Sequence, residues 1–415
     1  MTRSDPLQGQ YDETPYQDEV FPQFDLARLL GLARLFQLGP KPNRDEPVRV
    51  LDLGCASGVH LREQAARYPA ARFTGIDFST AELELGRQAI AEAGLTNVEL
   101  IQGDLREAEI PTEEFDLVLC HGIFSWVPDD VKESIFRHCR TGLRPGGVAA
   151  IAYVTYPGWK QREAIRELLA LRVQNIEEPD ERIRQSALML RFLHSGYSSM
   201  PDSSQSQYLK EIVEGMQRSS SNVFVHDELG REHDPCYFLQ FAQWAADSGL
   251  AYFAECDLST MSLQNLPTES RSLLQEIAPD FLETQQIIDF IVNRSGRSSL
   301  LVRDDAETKP ELGDDSMEEL LFTTDLQVDS LSGPSTEGPL ELRSARGHKL
   351  TIRDPLMKKT LLRLIDMTPE PLSLASMNQL GESDAKAKNV DRLPGRLLEL
   401  IKLGLVEPRL DFTGA

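Results

Sequence analysis

Long apolar runs are absent from this sequence. No stretch is long enough to span a bilayer, and residues 1–10 lack the apolar core of a secretory signal, so no membrane association is expected. Cysteine is also scarce. The five cysteines among 415 residues are odd in number and scattered, with no Cys-x-x-Cys pair. We therefore expect free thiols in a reducing cytoplasm, and neither a disulfide framework nor a metal site.

Basic residues are few relative to acidic ones. Lysine and arginine number 43 against 66 aspartates and glutamates, which gives a formal net charge of −23. Such a surface repels phosphate backbones, and no local basic patch is visible, so no nucleic-acid partner is expected. Two interpretations of the acidity stay open: attraction of cationic partners such as lysine-rich protein segments, and solubility alone. Both a monomer and a homodimer are compatible with the sequence.

Short apolar segments alternate with amphipathic helical patterns in the first part of the chain. This alternation predicts an α/β fold, with a parallel sheet covered by helices on both faces. Ligands of such sheets bind beyond the carboxyl ends of the strands. The predicted strands are 48–53, 72–77, 98–103, 115–121 and 147–153, with helices such as 81–93 and 131–141 between them.

The length predicts two or three domains, and composition divides the chain into five regions. Residues 1–165 contain the α/β core, preceded by an arm with a helix at 25–36. Residues 166–221 are expected to form a helical lid or insert, and residues 222–302 a smaller, mainly helical middle domain. Residues 303–340 are acidic and predict an exposed linker. Residues 341–415, with helices at 354–367 and 391–403 before a short strand, suggest a small winged-helix-like domain.

The most informative segment is VLDLGCASG at residues 50–58, an apolar strand that runs into a glycine turn. A dinucleotide-binding turn usually has the pattern G-x-G-x-x-G and holds a pyrophosphate at a helix N-terminus. Here Asp52 precedes the glycines in a D-x-G-x-x-x-G spacing. This carboxylate suits a cofactor with a cationic, amino-acid-like end. The segment resembles motif I of class I methyltransferases that use S-adenosylmethionine (SAM).

Each residue of this turn has an expected role toward SAM. Asp52 is expected to hold the amino group, directly or through water. Gly54 and Gly58 let the backbone approach the methionine part and let the following helix pack closely. Cys55 and Ala56 are expected to contact the cofactor through their backbones. The alternative is a tight strand-to-helix turn that binds nothing.

Two further acids follow the next two strands. Asp77 closes the second predicted strand, and an acid there, roughly twenty residues beyond the first turn, is placed to accept both ribose hydroxyls. Phe78 beside it is a candidate to border the adenine, although packing explains it nearly as well. Asp104, after the third strand, is positioned to accept from the adenine amino group, with Leu105 donating its backbone N–H. A solvated turn acid is the alternative for Asp104.

His121 follows the fourth strand and faces the same cleft. It is a candidate for a backbone contact with SAM and a weaker candidate for a general base. The pair His138 and Cys139 lies on a predicted helix. Its separation from Cys120 and His121 does not match a zinc site, so no metal is expected.

Aromatic residues follow the fourth and fifth strands, on both sides of the expected methyl-transfer point. Trp126 lies in the first of these loops, and Tyr156 and Trp159 lie in the second. Aromatic walls steer an amine through its alkyl stem and by cation–π contact, and they exclude water from the reaction. These three residues are therefore catalytic candidates, with His121. Simple packing at the rim is the alternative.

Several segments inside and outside the core form a more specific pattern. They are YDETPY (11–16), FP (21–22), HGIFSWVP (121–128), TYPGW (155–159), HDEL (226–229), PCYF (235–238), GLAY (249–252) and DF (289–290). Together they resemble a bacterial group of methyltransferases with a methyltransferase regulatory domain, which includes the rickettsial outer-membrane-protein lysine methyltransferases. The resemblance covers nearly the whole chain and is strongest up to about residue 302.

That resemblance implies a Rossmann-like catalytic core, SAM as methyl donor and protein lysine as acceptor. It also implies that the N-terminal arm folds over the cofactor, which makes Tyr11 and Tyr16 candidates for cofactor contacts. One departure concerns the acceptor. Where relatives often have Tyr-Asn-Thr-Tyr-Pro-Gly-Trp, this chain has Val154 in place of the asparagine, so a polar side chain at the mouth of the acceptor pocket is lost.

Three hypotheses about function follow. The leading one is in-line displacement of the SAM methyl group by a protein lysine amine. The second keeps the chemistry but replaces the acceptor by a small metabolite or natural-product intermediate; a closed pocket built by residues 161–221 would indicate it. The third is a SAM-binding interaction module without catalysis, whose C-terminal part contacts a partner.

Overall fold

A computed structural model describes residues 19–40, 46–230, 232–263, 266–306, 312–313, 316–331, 338–345, 347–382 and 393–411. Tyr11 and Tyr16 lie outside these residues. The central element is a seven-stranded sheet in the order β3-β2-β1-β4-β5-β7-β6. Its strands are β1 (Arg49–Leu53), β2 (Arg72–Asp77), β3 (Val98–Gln102), β4 (Phe115–Cys120), β5 (Leu143–Val154), β6 (Leu250–Glu255) and β7 (Gly296–Arg303).

The first five strands are parallel, as the alternating pattern predicts. Helices α1 (Leu26–Leu35), α2 (Val59–Arg67), α3 (Thr80–Glu92) and α4 (Asp129–Gly142) accompany them. All six residues of β4 are buried, because a parallel sheet is covered on both faces. The predicted strands and helices of this part are therefore confirmed within a few residues at their ends.

The block 222–302 differs from the mainly helical unit that its sequence suggests. Besides α9 (Phe238–Asp247), α10 (Thr268–Ile277) and α11 (Phe281–Val292), it supplies β6 and most of β7. Strand β7 pairs antiparallel with β5 on one side and with β6 on the other. Without β7, the buried strand β5 would end the sheet with unpaired backbone groups. The block thus completes the sheet of the α/β core.

Four helices lie between β5 and α9. They are α5 (Lys160–Val173), α6 (Pro179–Ser199), α7 (Ser204–Arg218) and α8 (Ser221–Leu229). They have a small apolar core of their own, which includes Leu169, Leu190 and Val213. Serines begin two of these helices: Ser203 and Ser206 form a capping box at α7, and the Ser220 side chain accepts a hydrogen bond at α8. Serine side chains therefore satisfy backbone N–H groups at the starts of α7 and α8.

The predicted exposed linker, 303–340, is wrong for its second half. Residues 316–331 contain β8 (Leu320–Thr323) and β9 (Gln327–Leu331). Strand β8 is the middle of a three-stranded antiparallel sheet, and its Leu320 and Phe322 are buried. Acidic composition predicted solvent exposure, but these alternating apolar residues bury one face of β8.

The C-terminal region is built from two small sheets and three helices. Strand β9 pairs with β10 (Leu340–Arg343), which pairs with β11 (Lys349–Ile352); β8 pairs with β12 (Leu372–Ser373) and β13 (Glu407–Leu410). The helices are α12 (Pro355–Met367), α13 (Leu374–Glu382) and α14 (Leu393–Lys402). Helices and the short final strand lie where the sequence predicts them.

Helix α1 lies between the central core and the C-terminal region, and all ten of its residues are buried. At its start, the backbone N–H of Leu26 donates to Gln64 of α2 at 2.9 Å. On the other side it packs against β13, and Asp25, the residue that caps α1, accepts a hydrogen bond from Arg409 at 2.6 Å. The C-terminal strand therefore holds the helix that leads out of the N-terminal arm.

At Gly31 the backbones of α1 and β13 lie close together. A Cβ atom there would lie 2.6 Å from the backbone oxygen of Pro408. We expect Gly31→Ala to lower the free energy of unfolding by about 1–3 kcal/mol, because neither backbone yields easily. Gly215 of α7 is the matched control, since a Cβ there meets nothing within 4 Å. Gly215→Ala is expected to be neutral or stabilising by up to about 1 kcal/mol. Thermal denaturation of both variants tests the pair, and equal melting temperatures would contradict this packing.

Candidate active site

Two buried carboxylates lie at the carboxyl ends of neighbouring parallel strands. Asp52 on β1 is paired in register with Gly75 of β2, and Asp77 ends β2. Both side chains are buried. Asp52 Oδ1 has no hydrogen-bond partner among the described residues, so a buried acceptor is left for a ligand that donates. Burial raises the pKa of Asp77, and backbone N–H donors oppose that rise.

The turn after β1 uses its own backbone N–H groups. Gly54 and Cys55 both donate to the Ile76 carbonyl, at 2.8 and 3.2 Å. Ala56 donates to Asp77 Oδ2 at 2.8 Å. Gly54 and Gly58 have φ angles of +75° and +68°, which glycine adopts at little cost. These N–H groups are therefore unavailable to a phosphate, and the turn presents acceptors rather than donors.

The end of the N-terminal arm covers this turn. His121 Nε2 lies 3.3 Å from Asp52 Oδ2, and its ring contacts Phe21 and Phe24 with centroid distances of 4.4 and 5.5 Å. His60 of α2 lies 5.4 Å from His121, and the backbone of Phe21 donates to its Nδ1. Burial and His121 lower the pKa of His60 to about 4. His121 therefore lies beside Asp52 and under the end of the N-terminal arm.

Two of the three candidates for adenine contacts, Asp104 and Leu105, have hydrogen-bond partners within the chain. Asp104 accepts from Arg106, with Nη2 to Oδ2 at 2.6 Å, and these bonds lower its pKa. Leu105 is buried, and its carbonyl accepts from His138 Nε2 at 2.7 Å. Phe78 is half-buried beside Asp77. The roles of these residues toward adenine stay predictions.

Tyr156 lies in the loop after β5, next to two charged groups of α5. Its hydroxyl donates to Glu163, with the two carboxylate oxygens at 2.8 and 2.9 Å. The ammonium of Lys160 lies over the ring, 3.4 Å from its centroid. Burial, followed by the Glu163 carboxylate, raises the pKa of Tyr156. The ring thus stacks on a lysine ammonium within the chain itself.

Trp126 and Trp159 belong to a second group, which we call the arginine–tryptophan cluster: Trp126, Trp159, Arg162, Arg166 and His233. The two indoles meet edge to face at 6.2 Å, and His233 contacts both at 4.8 and 5.4 Å. The guanidinium of Arg162 lies over Trp159 at 4.7 Å, and that of Arg166 over Trp126 at 5.5 Å. The aromatic faces predicted to receive an amine therefore already contact cations of the chain.

Val154, the predicted departure at the acceptor pocket, is the last residue of β5 and is half-buried. Its backbone N–H donates to the Ser125 hydroxyl at 3.0 Å, which joins the two loops that carry the tryptophans. The helical insert also contains a cleft of about 690 Å³. Its lining comes from α6 to α8 and the turn before α8, and includes none of the predicted site residues.

Comparison with known proteins identifies two parts of the chain. Residues 50–147 match the family described as a methyltransferase domain, and residues 220–303 match a predicted methyltransferase regulatory domain. The uncharacterized protein RP028 of Rickettsia prowazekii is 30% identical over 235 residues, which are 57% of this chain and 93% of the relative. The chain belongs to the SAM-dependent methyltransferases with a regulatory domain.

Two further comparisons extend over almost the whole methyltransferase. The uncharacterized protein RP789 of Rickettsia prowazekii is 29% identical over 387 residues, which are 91% of this chain and 68% of the relative. The structure of PKMT2 from Rickettsia typhi in complex with AdoHcy has a TM-score of 0.80 at 26% identity, and covers 96% of this chain and 78% of that one. The predicted resemblance, enzyme class and cofactor are confirmed. Because the chain is a methyltransferase, the hypothesis of a SAM-binding module without catalysis is not kept.

The residues of this methyltransferase fit SAM. An ammonium group needs a buried acceptor, and Asp52 Oδ1 has no partner. Ribose hydroxyls need an acceptor, and the two carboxylate oxygens of Asp77, which accept backbone N–H bonds from Ala56, Ser79 and Phe78, have a further lone pair to offer. The turn withholds N–H donors, which distinguishes it from a pyrophosphate site. When bound, SAM supplies a methyl group on a positively charged sulfur.

Some candidate residues of the methyltransferase have no sequence signal. His60 is a helical histidine that tertiary contacts bring to His121, and His233 lies far along the chain from the tryptophans that it contacts. Arg162 and Arg166 are four residues apart on α5, which places them on one face of the helix, but only the fold shows what that face covers.

Three predicted absences can be compared with the described part of the chain. All five cysteines are buried and unpaired. No group of three or more His, Cys, Asp or Glu side chains there has the arrangement of a metal site. No helix in those residues has the length and apolar composition needed to cross a membrane.

Proposed function

We propose that this enzyme transfers the SAM methyl group to the amine of a protein lysine by in-line displacement. The observation that carries the proposal is Lys160. Its ammonium lies 3.4 Å from the centroid of the Tyr156 ring and 3.8 Å from Glu163 Oε2. An aromatic ring beside a carboxylate therefore already accommodates a lysine head group, that of Lys160, which is exposed. The resemblance to the rickettsial lysine methyltransferases, together with the structural likeness to PKMT2, supports a protein lysine as the acceptor.

The acceptor amine must be neutral to attack. A lysine ammonium has an ordinary pKa of about 10.4. Desolvation between aromatic rings lowers that pKa, and so do the guanidinium groups of Arg162 and Arg166 and the sulfonium charge that bound SAM would bring, whereas the Glu163 carboxylate opposes them. Glu163 holds the Tyr156 ring in place through the hydroxyl. We propose that Tyr156, Trp159 and Trp126 orient the amine and exclude water, so that no dedicated base is required.

Residues at the carboxyl ends of β1 and β2 are proposed to hold SAM. Asp52 would bind the amino group and Asp77 the ribose, while Gly54, Cys55, Ala56 and Gly58 shape the turn. His121 supports Asp52 under the arm, and this position favours a role in cofactor binding over that of a general base. Phe78, Asp104 and Leu105 keep their proposed place around the adenine.

We further propose that the C-terminal region is winged-helix-like and contacts the substrate protein. Its three helices and the sheet β12-β8-β13 support that comparison. The division of the chain into regions is kept as a proposal with two changes: β6 and β7 of the block 222–302 complete the sheet of the core, and residues 316–331 join the C-terminal region. An acidic surface, with a net charge of −23, suits a lysine-containing partner.

Methyl transfer from labelled SAM tests the proposed acceptor. The enzyme is incubated with lysine-rich polypeptides and with the protein and small-molecule fractions of a bacterial lysate. Label is expected in protein, stable to alkali, and recovered as methyllysine after hydrolysis. Alkali-labile label would indicate a methyl ester. Label only in the small-molecule fraction would support the metabolite alternative and overturn the lysine proposal.

Tyr156 variants test the acceptor side separately from the cofactor side. We expect Tyr156→Ala to leave SAM affinity unchanged and to lower kcat/KM by roughly tenfold, because the cation–π platform is lost. Tyr156→Phe keeps the ring but frees Glu163, so an intermediate loss is expected. Tyr197→Phe removes a hydroxyl from the helical insert and is the control. Calorimetry and steady-state rates measure both quantities; unchanged turnover in Tyr156→Ala would show that the ring only packs.

A further inference from the structure

The arginine–tryptophan cluster contains more hydrogen-bond donors than its own residues satisfy. Trp159 Nε1, Arg166 Nη1 and His233 Nε2 are buried and have no partner among the described residues. Trp159 and Arg166 are 8% and 7% exposed, so solvent does not replace the missing partners. A buried donor without a partner destabilises the folded protein. Their side chains are linked through Trp126, which Arg166 and His233 both contact, and His233 also contacts Trp159. Three such atoms in one cluster indicate a place for a ligand that accepts hydrogen bonds.

One ion pair lies within the cluster. Arg162 donates to Glu228, whose side chain is fully buried. Arg162 Nε and Glu228 Oε2 have no partner among the described residues. Glu228 is hydrogen-bonded to Arg162 and also acts electrostatically on Arg166, but forms no ion pair with it in the described part of the chain.

Arg166 has no ion pair in the described part of the chain. Its only hydrogen bond there is from Nη2 to the Gly230 carbonyl, at 3.2 Å. Glu228, Asp227 and Glu163 act on it from a distance, while Arg162 repels it. His233 is in the same positive field: burial, then Arg166 and Arg162, lower its pKa to about 3. The neutral imidazole then offers one N–H donor, and Arg166 remains a buried cation beside it.

We propose that the cluster binds a carboxylate side chain of the substrate protein, close to the lysine that receives the methyl group. This rests on the proposed lysine acceptor. The donors are an indole N–H, a guanidinium N–H and an imidazole N–H, and a carboxylate accepts from all three. A carboxylate adds one negative charge beside Arg166; a phosphate dianion would add about two where Glu228, Asp227 and Glu163 already act on that arginine. Both tryptophans lie in the loops after β4 and β5, at the carboxyl edge where the acceptor must enter.

Tryptophan fluorescence provides a binding test that does not depend on turnover. The chain has three tryptophans, so Trp244→Phe leaves only the two in the cluster. The probes are the N-acetyl methylamides of glutamate and glutamine, and succinate. We expect a saturable change with the glutamate probe, and at least about tenfold weaker binding of the glutamine probe, since a charged hydrogen bond is lost. Equal binding of the two amides, or no saturable change, would overturn the proposal.

Variants on α5 locate the carboxylate. Arg166→Gln is expected to weaken the glutamate probe at least about tenfold, and Arg166→Lys, which keeps the charge, to restore part of that loss. Arg172→Gln is the matched control, because Arg172 lies on the same helix and contacts only Gln185 among the described residues. Near-ultraviolet circular dichroism verifies that each variant is folded. Unchanged affinity in both Arg166 variants would overturn the assignment.

The remaining outcomes separate other sources of the carboxylate. Binding of succinate without the glutamate probe would assign the site to a small acid and overturn the protein source. A matching loss of SAM affinity in Arg166→Gln would assign the carboxylate to the cofactor and also overturn the proposal. If methyllysine forms, peptides with glutamate next to lysine should have a lower KM than those with glutamine, at similar kcat. Failure to form methyllysine would refute the proposed function while the binding result stands by itself.

Discussion

Asp77→Ala is expected to weaken SAM binding about a hundredfold or more while the protein stays folded. The carboxylate is buried, and the proposed bonds to two ribose hydroxyls are charge-assisted, each contributing about 1.5–3 kcal/mol. The same oxygens accept the backbone N–H groups of Ala56 and Ser79, at 2.8 and 2.9 Å. The substitution therefore also loosens the turn that carries Gly54 and Gly58. Isothermal titration with SAM measures the loss.

A second buried aspartate separates binding from stability. Asp116 lies near the start of β4, toward the opposite edge of the sheet, and accepts from the backbone of Arg49 at 2.9 Å. Asp116→Ala should reduce stability through the same kind of lost bond, without changing SAM affinity. Retained SAM affinity in Asp77→Ala, or an equal loss in Asp116→Ala, would show that the ribose site is misplaced.

Arg297→Met is expected to destabilise the enzyme by about 3–5 kcal/mol, the largest stability effect that we anticipate. The side chain is fully buried. It donates to both oxygens of Asp289, at 2.8 and 2.9 Å, to Glu255, and to the Gln285 carbonyl at 2.9 Å. Its loss removes the cation that two buried carboxylates share. Asp289 keeps Arg294, but Glu255 keeps neutral donors alone among the described residues. Chemical denaturation followed by fluorescence and circular dichroism gives the free energy of unfolding.

An exposed arginine on a strand provides the control. Arg343 of β10 pairs with Asp329 at 3.0 Å, and its side chain is half exposed. Arg343→Met is expected to change stability by less than about 1 kcal/mol, because solvent screens such pairs. The result also concerns the architecture. Arg297 on β7 joins β6 and α11, so a loss as small as that of the control would argue against the block 222–302 as part of the core sheet.

Much of the core sheet and of the candidate cofactor site could be predicted from local sequence patterns. The parallel strands and the acids at their ends are visible because alternation of buried segments and the D-x-G-x-x-x-G turn depend on neighbouring residues. Asp52 and Asp77 both end buried strands, and the structure brings them to the same edge. The tryptophan loops after β4 and β5 follow from the same rule, that parallel strands present their carboxyl ends together.

Contacts between distant parts of the chain were not predictable in this way. Strands β6 and β7 occur about a hundred residues or more after β5, and a single sequence does not show that they pair with it. The contact of α1 with β13, and the strands in the acidic segment 316–331, were missed for the same reason. Whether the residues of these segments are buried depends on the elements that pack against them, and not on the composition of the segment itself.

The sequence by itself determined the chemistry at the cofactor end: an acid before a glycine turn, and further acids at the ends of the next strands. These are local features, since a turn's backbone angles and a strand's end depend on adjacent residues. Only the tertiary structure decided what surrounds the aromatic loops where we propose that the methyl acceptor binds. It placed Lys160 on Tyr156, and Arg162 and Arg166 on the tryptophans, because α5 and the His233 segment meet those loops through long-range packing. The charge around these loops is therefore a property of the fold.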